Sequence, residues 1–320
     1  MRPVLIVGVP RSGSTWVQRL LGKTPQARAV YEPDNESVHP AARVAKRSLS
    51  RFPVLGAGAD APRAYERIWA RAMAGVRETD DVVGRLAEAM YEDAPQRQLQ
   101  LVDPPGLRVR AATALTRLPR IARSSPDVRP LVKTVHAAFA VDWIVDRWDP
   151  QVVVLLRDPL NVLASMLELD MADRDRRLDD DPLVWSRILE PLGVRPPSGR
   201  ATPLARAAWQ LGVLGTWLAA RAARHPSWVV VRHEDLCAAP VDRFRGLVAA
   251  AGLTWTPACE RYLARSNGPG EGYELRRVAA EQPDRWRSRL GPEQIREARA
   301  VLDGFPPVGH PARTRSGGAG

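Results

Sequence analysis

A nearly continuous apolar run at residues 4–9, ending in a glycine-bounded turn, constrains the fold of this 320-residue chain more than any other feature. Such a run, rich in β-branched residues, is typical of a parallel strand that is buried on both faces. The turn Gly8-Val9-Pro10-Arg11-Ser12-Gly13-Ser14-Thr15 follows it and leads into a helical stretch. This strand–loop–helix order predicts that backbone N–H groups converge at a helix N-terminus, where they bind an anion.

The turn has the G-x-x-x-x-G spacing of a P-loop, but Ser14 stands where a P-loop has its lysine. Arg11 supplies a cation instead, and the hydroxyls of Ser12, Ser14 and Thr15 supply further donors. P-loop kinases and ATPases use the missing lysine together with Mg²⁺ on a highly charged γ-phosphoryl group. The loop therefore favours the less charged sulfuryl group and predicts no metal, and no His, Cys or carboxylate spacing typical of a metal site occurs.

Further strands alternate with helices along the chain. The apolar runs predict strands at 130–135, 152–156 and 228–231, and helical patterns at 137–147, 161–169 and 203–225 follow or separate them. This alternation predicts an α/β fold, a P-loop-like parallel sheet flanked by helices. Ligands of such sheets bind beyond the carboxyl ends of the strands, so we expect the site at the turns 8–15, 133–136 and 157–165.

We predict a single domain over residues 1–305. Within it, an Arg- and Ala-rich region at 41–127 is expected to be a largely helical insertion. The charged, proline-rich segment 170–203 is expected to be a mobile loop on the acceptor side. Residues 306–320 are expected to be a disordered tail.

Composition excludes several classes of protein. With 45% hydrophobic residues the chain has enough apolar side chains for a core, and two cysteines suffice neither for a disulfide scaffold nor for a four-cysteine zinc site. We find no targeting segment and no apolar stretch long enough to span a bilayer, and expect a cytoplasmic protein. The net charge of +11 suits an anionic partner. Because the arginines are dispersed rather than clustered with aromatic residues, we expect no nucleic acid as partner.

A second basic motif begins where the strand 152–156 ends. Arg157 closes that strand, and Ser165 lies two helical turns further on if the next helix begins near Asn161. This spacing predicts that Arg157 and Ser165 converge on one phosphate. An arginine at a strand end is by itself a weak signal, and it gains weight only together with the first loop.

The motifs together resemble those of PAPS-dependent sulfotransferases. Pro10-Arg11-Ser12-Gly13-Ser14-Thr15-Trp16 is similar to their 5′-phosphosulfate loop, and Arg157 with Ser165 is similar to their 3′-phosphate motif. Tyr31-Glu32-Pro33 is similar to a motif of carbohydrate sulfotransferases, and Val231-Arg232-His233-Glu234-Asp235-Leu236 to a strand-end signature common in the family.

The resemblance implies transfer of a sulfuryl group from PAPS to a hydroxyl of a small-molecule, glycan or lipid acceptor, with release of PAP. It implies that Arg11 and the backbone of residues 12–15 hold the 5′-phosphate and stabilise charge on the leaving group. Arg157 and Ser165 would bind the 3′-phosphate. Relatives often carry lysine where Arg11 stands, and an arginine acts as an electrostatic clamp rather than as a proton donor.

Two residues compete for the role of the base that accepts the hydroxyl proton. Glu32 matches the carboxylate of the Glu-Pro motif. His136 follows Lys133-Thr134, but Val135 intervenes where cytosolic sulfotransferases have Lys-Thr-His, which turns the side chain to the other face if the strand continues. We favour Glu32 over His136. Lys133 is expected to line the donor or acceptor pocket.

Other interpretations remain open at this point. Trp286, in a basic segment near the C-terminus, either stacks on the adenine of the nucleotide or packs in the core. The chain could instead be a P-loop nucleotide kinase with an atypical loop, a non-catalytic polyanion-binding module, or a protein that binds PAP without turnover.

Overall fold

The computed structural model describes residues 1–92, 106–116, 118, 128–171, 178–270 and 276–306. Five parallel strands form its sheet: β1 Val4–Gly8, β2 Ala27–Tyr31, β3 Arg129–Thr134, β4 Gln151–Leu156 and β5 Val229–Arg232. Their order across the sheet is β2-β3-β1-β4-β5. The predicted α/β fold with a parallel sheet is therefore confirmed.

Helices surround the sheet. Along the first half of the chain they are α1 Ser14–Leu21, α2 Pro40–Ala45, α3 Arg63–Met73, α4 Val82–Glu92, α5 Leu107–Leu115, α6 Val141–Trp148 and α7 Pro159–Glu168. The later ones are α8 Pro203–Arg224, α9 His233–Ala238, α10 Pro240–Ala250, α11 Pro257–Ser266, α12 Trp286–Arg289 and α13 Pro292–Leu302. Helices α3 to α5 lie within the described part of the region 41–127.

Both faces of the sheet are buried because neighbouring side chains of each strand point to opposite faces. In β1, Leu5 and Val7 belong to one apolar cluster, which also contains the buried faces of α3, α6, α7 and α8. Val4 and Ile6 belong to a second cluster, together with the buried residues of α1 and α10. Burial on both faces explains why β1 reads as an almost uninterrupted apolar run.

The edge strand β2 is the element that the sequence analysis does not predict. It is short, has Arg28 as its second residue and is only half-buried, so that it shows no apolar run. Its pairing with β3 places Tyr31 opposite Lys133. Because of this pairing, the segment that begins at Glu32 leaves the sheet at the same edge as the first loop.

Residues 178–192 form local secondary structure that packs against the core, which differs from the mobile loop expected over 170–203. They form short helical turns, and Leu178, Val184, Ile188 and Leu189 are buried in the larger apolar cluster. Of the expected segment, only Met171 lines the cavity described below, as far as the described residues go. Residues 172–177 and the tail 307–320 lie outside the described residues.

Candidate functional site

A cavity of about 430 Å³ opens where the first four strands end. The order of the strands explains its place, since β1 has β3 on one side and β4 on the other, and the connections diverge there. All residues predicted for the site except Ser12 line this cavity: Arg11, Gly13, Ser14, Thr15, Trp16, Glu32, His136, Arg157, Ser165 and Trp286.

The first loop turns sharply before α1 begins. The Ser12 N–H donates to the carbonyl of Val9 at 3.1 Å, and the Ser12 side chain is fully buried without a hydrogen-bond partner. Ser12 therefore shapes the turn instead of facing the cavity. Among the described residues, none accepts a hydrogen bond from the N–H groups of Gly13, Ser14 and Thr15. These three donors, at the positive end of α1, are the part of the loop suited to an anion.

Gly13 must be a glycine for two separate reasons. Its φ of 93° lies in the left-handed region, and a Cβ atom added there would lie 2.5 Å from Cδ2 of His233. The His233 ring is buried, and burial, reinforced by the nearby charge of Arg157, holds its pKa well below the usual range. A neutral imidazole thus packs against the loop from below. His233 belongs to the strand-end motif 231–236. The sequence alone does not show that this residue packs against the first loop.

Arg157 and Ser165 meet through Arg11. Nη1 of Arg157 donates to the carbonyl of Arg11 at 2.8 Å, and Nε of Arg11 donates to Oγ of Ser165 at 3.0 Å. Asp158 caps α7 by accepting the N–H of Leu160, which fixes the direction in which Ser165 is presented. The predicted convergence of Arg157 and Ser165 is therefore indirect in this structure.

The guanidinium of Arg157 is in an unfavourable environment for a cation. Burial lowers the pKa of Arg157 to about 10, although Glu234 nearby acts in the opposite direction. Its Nε is enclosed and has no hydrogen-bond partner among the described residues. Arg11, a like charge, adds to the destabilisation. An anion placed against Arg157 would relieve both the unsatisfied donor and the repulsion.

Glu32 lies directly after β2, with a φ of 40°. Its N–H donates to the Lys133 carbonyl at 2.8 Å, and its carboxylate pairs with the Lys133 ammonium and accepts from the Asn35 amide. Burial raises the pKa of Glu32, but nearby positive charge, chiefly that of Lys133, and the hydrogen bonds from Lys133 and Asn35 together outweigh it, so the pKa is lowered. Nζ of Lys133 also donates to Oγ1 of Thr15 at 3.2 Å. Lys133 therefore connects the carboxylate of Glu32 to the first loop.

His136 is fully buried, and another side chain lies close to each of its ring nitrogens. Nε2 accepts from Nε of Arg51 at 3.3 Å, and Nδ1 lies 3.3 Å from a carboxylate oxygen of Glu36. Glu36 in turn pairs with the fully buried Lys46 at 2.7 Å. The sequence analysis does not single out Glu36, Arg51 or Lys46, because their grouping depends on how the segment after β2 folds back.

Trp286 is mostly buried and belongs to the larger apolar cluster, although an edge of it lines the cavity. The backbone N–H of Trp286 donates to Oδ1 of Asn161 at 3.2 Å, while the guanidinium of Arg287 lies 4.4 Å from the centroid of the indole ring. Of the two interpretations, packing in the core agrees with this burial. Nη2 of Arg289 donates to Glu168 at 3.0 Å, so α12 is attached to α7 at two points.

Positive charge dominates the lining of the cavity. Among the described residues that line it, there are seven basic side chains and two carboxylates. The basic residues are Arg11, Arg51, Lys133, Arg157, Arg277, Arg285 and Arg289, and the carboxylates are Glu32 and Glu168. Such a lining attracts a ligand with several anionic groups.

His39 ties the edge of the cavity to α4. Its Nδ1 lies 2.8 Å from a carboxylate oxygen of Glu88, and its Nε2 lies 2.8 Å from the Tyr31 carbonyl. Burial lowers the pKa of His39, but the hydrogen bond and charge of Glu88 outweigh this and raise it to about 9. With an acceptor at each nitrogen, the doubly protonated ring is the form that satisfies both contacts. The histidine thus holds the end of β2 in place.

Two further observations concern the residues that the structure describes. None of their helices has the length and apolar character needed to cross a membrane. Among the same residues, no group of three or more His, Cys, Asp or Glu side chains is arranged to hold a metal ion.

A family model described as the sulfotransferase family matches residues 3–257. No curated protein matches the sequence. Solved structures similar to this chain include the sulfotransferase domain from the curacin biosynthetic pathway, with 15% identity and a TM-score of 0.48 over 95% of this chain and 98% of that chain. Mouse sulfotransferase SULT7A1 complexed with PAP has 10% identity and a TM-score of 0.38 over 94% and 82% of the two chains. Sulfotransferase STF9 from Mycobacterium avium has 14% identity and a TM-score of 0.39 over 95% and 76%.

Replacement of Gly13 tests the packing of the first loop on His233. Gly13→Ala combines left-handed backbone with a steric clash, whereas Gly58→Ala introduces a side chain at a φ of 71° with nothing within 4 Å. We expect Gly58→Ala to cost about 1 kcal/mol and Gly13→Ala about 2 kcal/mol more, measured by urea unfolding. His233→Ala should remove most of that excess in a double-mutant cycle. Equal costs for the two glycine variants would contradict the clash.

The charge of His39 should make stability depend on pH. Because the pKa in the folded protein, about 9, exceeds the ordinary value of 6.5, the contribution of His39 is complete below pH 6.5 and is lost as the pH rises through 9. The difference in unfolding free energy between wild type and His39→Gln should fall by on the order of 3 kcal/mol between pH 6 and pH 9.5. Glu88→Gln should abolish most of this dependence. A constant difference across the range would contradict the ion pair.

Proposed function

The chain belongs to the sulfotransferase family, and we propose that it transfers a sulfuryl group from PAPS to a hydroxyl of a small-molecule or carbohydrate acceptor, releasing PAP. The observation that carries this proposal is the juxtaposition of Arg157 with the first loop. Its half-enclosed guanidinium, with Nε unsatisfied, lies against Arg11 and beside the three N–H donors of the helix N-terminus. This is a site for a ligand with more than one anionic group.

The residues present fit PAPS, which supplies an activated sulfuryl group on a phosphate that becomes the leaving group. In this proposal, the N–H groups of Gly13, Ser14 and Thr15 and the side chain of Arg11 hold the 5′-phosphate. Arg157 and Ser165 bind the 3′-phosphate, which distinguishes PAPS from other adenine nucleotides. Charge that develops on the leaving phosphate is then stabilised by donors that are fixed before the reaction.

The nucleotide base lies between Trp16 and the C-terminal segment in this proposal. Nε1 of Trp16 donates to Oγ of Ser266 at 3.3 Å, which orients the indole at the cavity wall. Trp286 contributes an edge to the same cavity, and the attachment of its segment to Asn161 covers that side. Both indoles line the same cavity as Arg157.

Glu32 is the base that we propose for the acceptor hydroxyl. The acceptor oxygen forms a bond to sulfur while the bond from sulfur to the phosphate oxygen breaks, and the hydroxyl proton moves to the Glu32 carboxylate. Glu32 is ionised, faces the cavity and is joined through Lys133 to Thr15 of the first loop. His136 fits this role less well, because Nε2 already accepts a hydrogen bond from Arg51. Lys133 directs a positive charge to the space between the base and the loop.

Nucleotide binding distinguishes this proposal from a P-loop kinase and from a polyanion-binding module. We expect PAP to bind in isothermal titration calorimetry with equal affinity in Mg²⁺ and in EDTA, and more tightly than ATP or duplex DNA. Arg157→Ala should weaken PAP binding by about a hundredfold, because it removes charge-assisted hydrogen bonds to a phosphate. The exposed Arg243→Ala is the matched control and should bind PAP as the wild type does. A preference for ATP with Mg²⁺ would refute the proposal.

The role of Glu32 is tested by kcat at saturating PAPS, with a phenol that the wild type sulfates as acceptor. Glu32→Gln should lower kcat by about a hundredfold while PAP still binds, since general bases typically contribute that much or more. His136→Ala should lower kcat by less than about tenfold. If Glu32→Gln retains wild-type turnover, the base is another residue, and a large effect of His136→Ala would identify it.

A further inference from the structure

The turn that carries Glu32 out of β2 is held together by Asn35. The Asn35 N–H donates to the Glu32 carbonyl at 3.0 Å, and the Asn35 carbonyl accepts from the N–H groups of Val38 at 3.0 Å and His39 at 2.9 Å. Glu32 itself has a φ of 40°, in the left-handed region that residues with a side chain rarely adopt. The hydrogen bonds of Asn35 hold this conformation, because a strained residue persists only where its surroundings fix it.

The side-chain amide of Asn35 is oriented by the same turn. Its Oδ1 accepts the N–H of Ser37 at 2.9 Å, two residues further along the chain. Since an amide carries one oxygen and one NH2 group, this contact directs Nδ2 away from Ser37, and Nδ2 donates to Oε2 of Glu32. Asn35 and Glu32 are both buried, and both line the cavity. The backbone of the turn therefore determines which way the amide points.

The carboxylate of Glu32 is held at both oxygens. Lys133 pairs with Oε1, whereas Asn35 donates to Oε2. The terminal torsion of a glutamate is broad, so a single contact would let the carboxylate rotate, and the second contact fixes its plane. Each carboxylate oxygen has a second lone pair, so these two donors leave positions at which a hydroxyl can bind. His136, just after β3, is a further titratable group that acts on Glu32.

We infer that Asn35 is a positioning residue for sulfuryl transfer, which fixes the plane of the Glu32 carboxylate so that an oxygen meets the acceptor hydroxyl in the cavity. This inference rests on the proposed sulfotransferase function and on Glu32 as its base. A base works only within hydrogen-bond reach of the proton that it accepts, and a carboxylate held in one orientation reaches it without reorganisation. Asn35 acts through Glu32 and takes no proton itself.

The variant Asn35→Asp separates the contact with Glu32 from the structure of the turn. An aspartate keeps an oxygen for the Ser37 N–H, but it places a second carboxylate against that of Glu32, so that the two share a proton. The measurement is kcat for PAP formed from saturating PAPS, with a phenol that the wild type sulfates. For the wild type we expect a constant kcat between pH 8 and pH 5, because the pKa of Glu32 is lowered from its ordinary value of 4.5. For Asn35→Asp, kcat should fall toward low pH with an apparent pKa about 1 to 2 units above that of the wild type.

Two controls identify the group responsible for this shift. Asn267→Asp adds the same charge at an exposed position and keeps the oxygen that accepts the Ala279 N–H at 2.9 Å, so its pH profile should match that of the wild type. The shift caused by Asn35→Asp should persist in the His136→Ala background, which excludes titration of His136 as its source.

The variant Asn35→Ala tests whether the residue acts through Glu32. At pH 8 it should lower kcat about tenfold and leave KM for PAPS within about twofold of the wild-type value, since the base loses its orientation while the nucleotide keeps its contacts. In the Glu32→Gln background, the same change should lower kcat by less than about twofold.

A second measurement needs no acceptor. With a shared proton, the folded Asn35→Asp protein binds more protons near neutral pH than its unfolded chain does, so its stability falls as the pH rises. The difference in the urea midpoint of unfolding between the wild type and Asn35→Asp should therefore widen from pH 5 to pH 8. The corresponding difference for Asn267→Asp should stay constant.

An unshifted pH profile of Asn35→Asp, or an equal loss of kcat from Asn35→Ala with and without Glu32, would overturn the inference, as would wild-type turnover by Glu32→Gln. If no phenol is turned over, the urea midpoints decide, and a constant difference for Asn35→Asp overturns the inference. In each of these cases the proposed function stands as long as PAP binds. Failure of the wild type to bind PAP would instead refute the proposed function, and this inference with it.

Discussion

Repulsion between basic side chains at the ends of the central strands is the constraint on which the rest of the site depends. Parallel pairing brings the ends of β1, β3 and β4 together, and the chain places Arg11, Lys133 and Arg157 there. Lys133 is in direct contact with the carboxylate of Glu32. Arg157 donates to the Arg11 carbonyl, a neutral acceptor, and its Nε has no hydrogen-bond partner among the described residues. The described part of the fold thus stabilises Arg157 incompletely, and an anionic ligand would complete its environment.

The register of the sheet determines which of these groups meet. Lys133 pairs with Ile6 on one side and with Tyr31 on the other, so its side chain lies between the residues that follow β1 and β2. That position allows a single ammonium to contact both Glu32 and Thr15. A shift of β2 by one residue would reverse the faces of its side chains and separate Glu32 from Lys133. His39, by binding the Tyr31 carbonyl, helps to hold this register at an edge where strand pairing exists on one side only.

The sequence predicts the local parts of the site well and the distant contacts poorly. The strand β1, its loop and α1 are contiguous and carry their own signals, namely the apolar run, the glycines and the start of a helix. The pairing of Arg157 with the Arg11 carbonyl joins residues far apart in sequence. Both residues follow strands, so the rule for ligands of parallel sheets places them together.

By contrast, the strand β2 has no apolar run in the sequence. The group formed by Glu36, Lys46 and Arg51 depends on how the chain folds back after β2, and no periodicity in the sequence indicates that fold-back. Ser12 has the donor groups expected of an anion-binding residue, but its N–H donates to the Val9 carbonyl within the turn.

The net charge of +11 can be interpreted only when the arginines are grouped according to the residues that they contact. Arg28 pairs with Asp80, and Arg129 donates to the carbonyls of Ala251 and Gly252, so these side chains serve the fold. The basic residues of the cavity differ in their surroundings, because among the described residues that line it basic side chains outnumber carboxylates seven to two. The free energy of binding an anionic ligand is therefore favoured by new hydrogen bonds. It is also favoured because the ligand reduces the repulsion between the basic side chains that folding brings together. For this reason a local excess of charge identifies the site, whereas the overall excess does not.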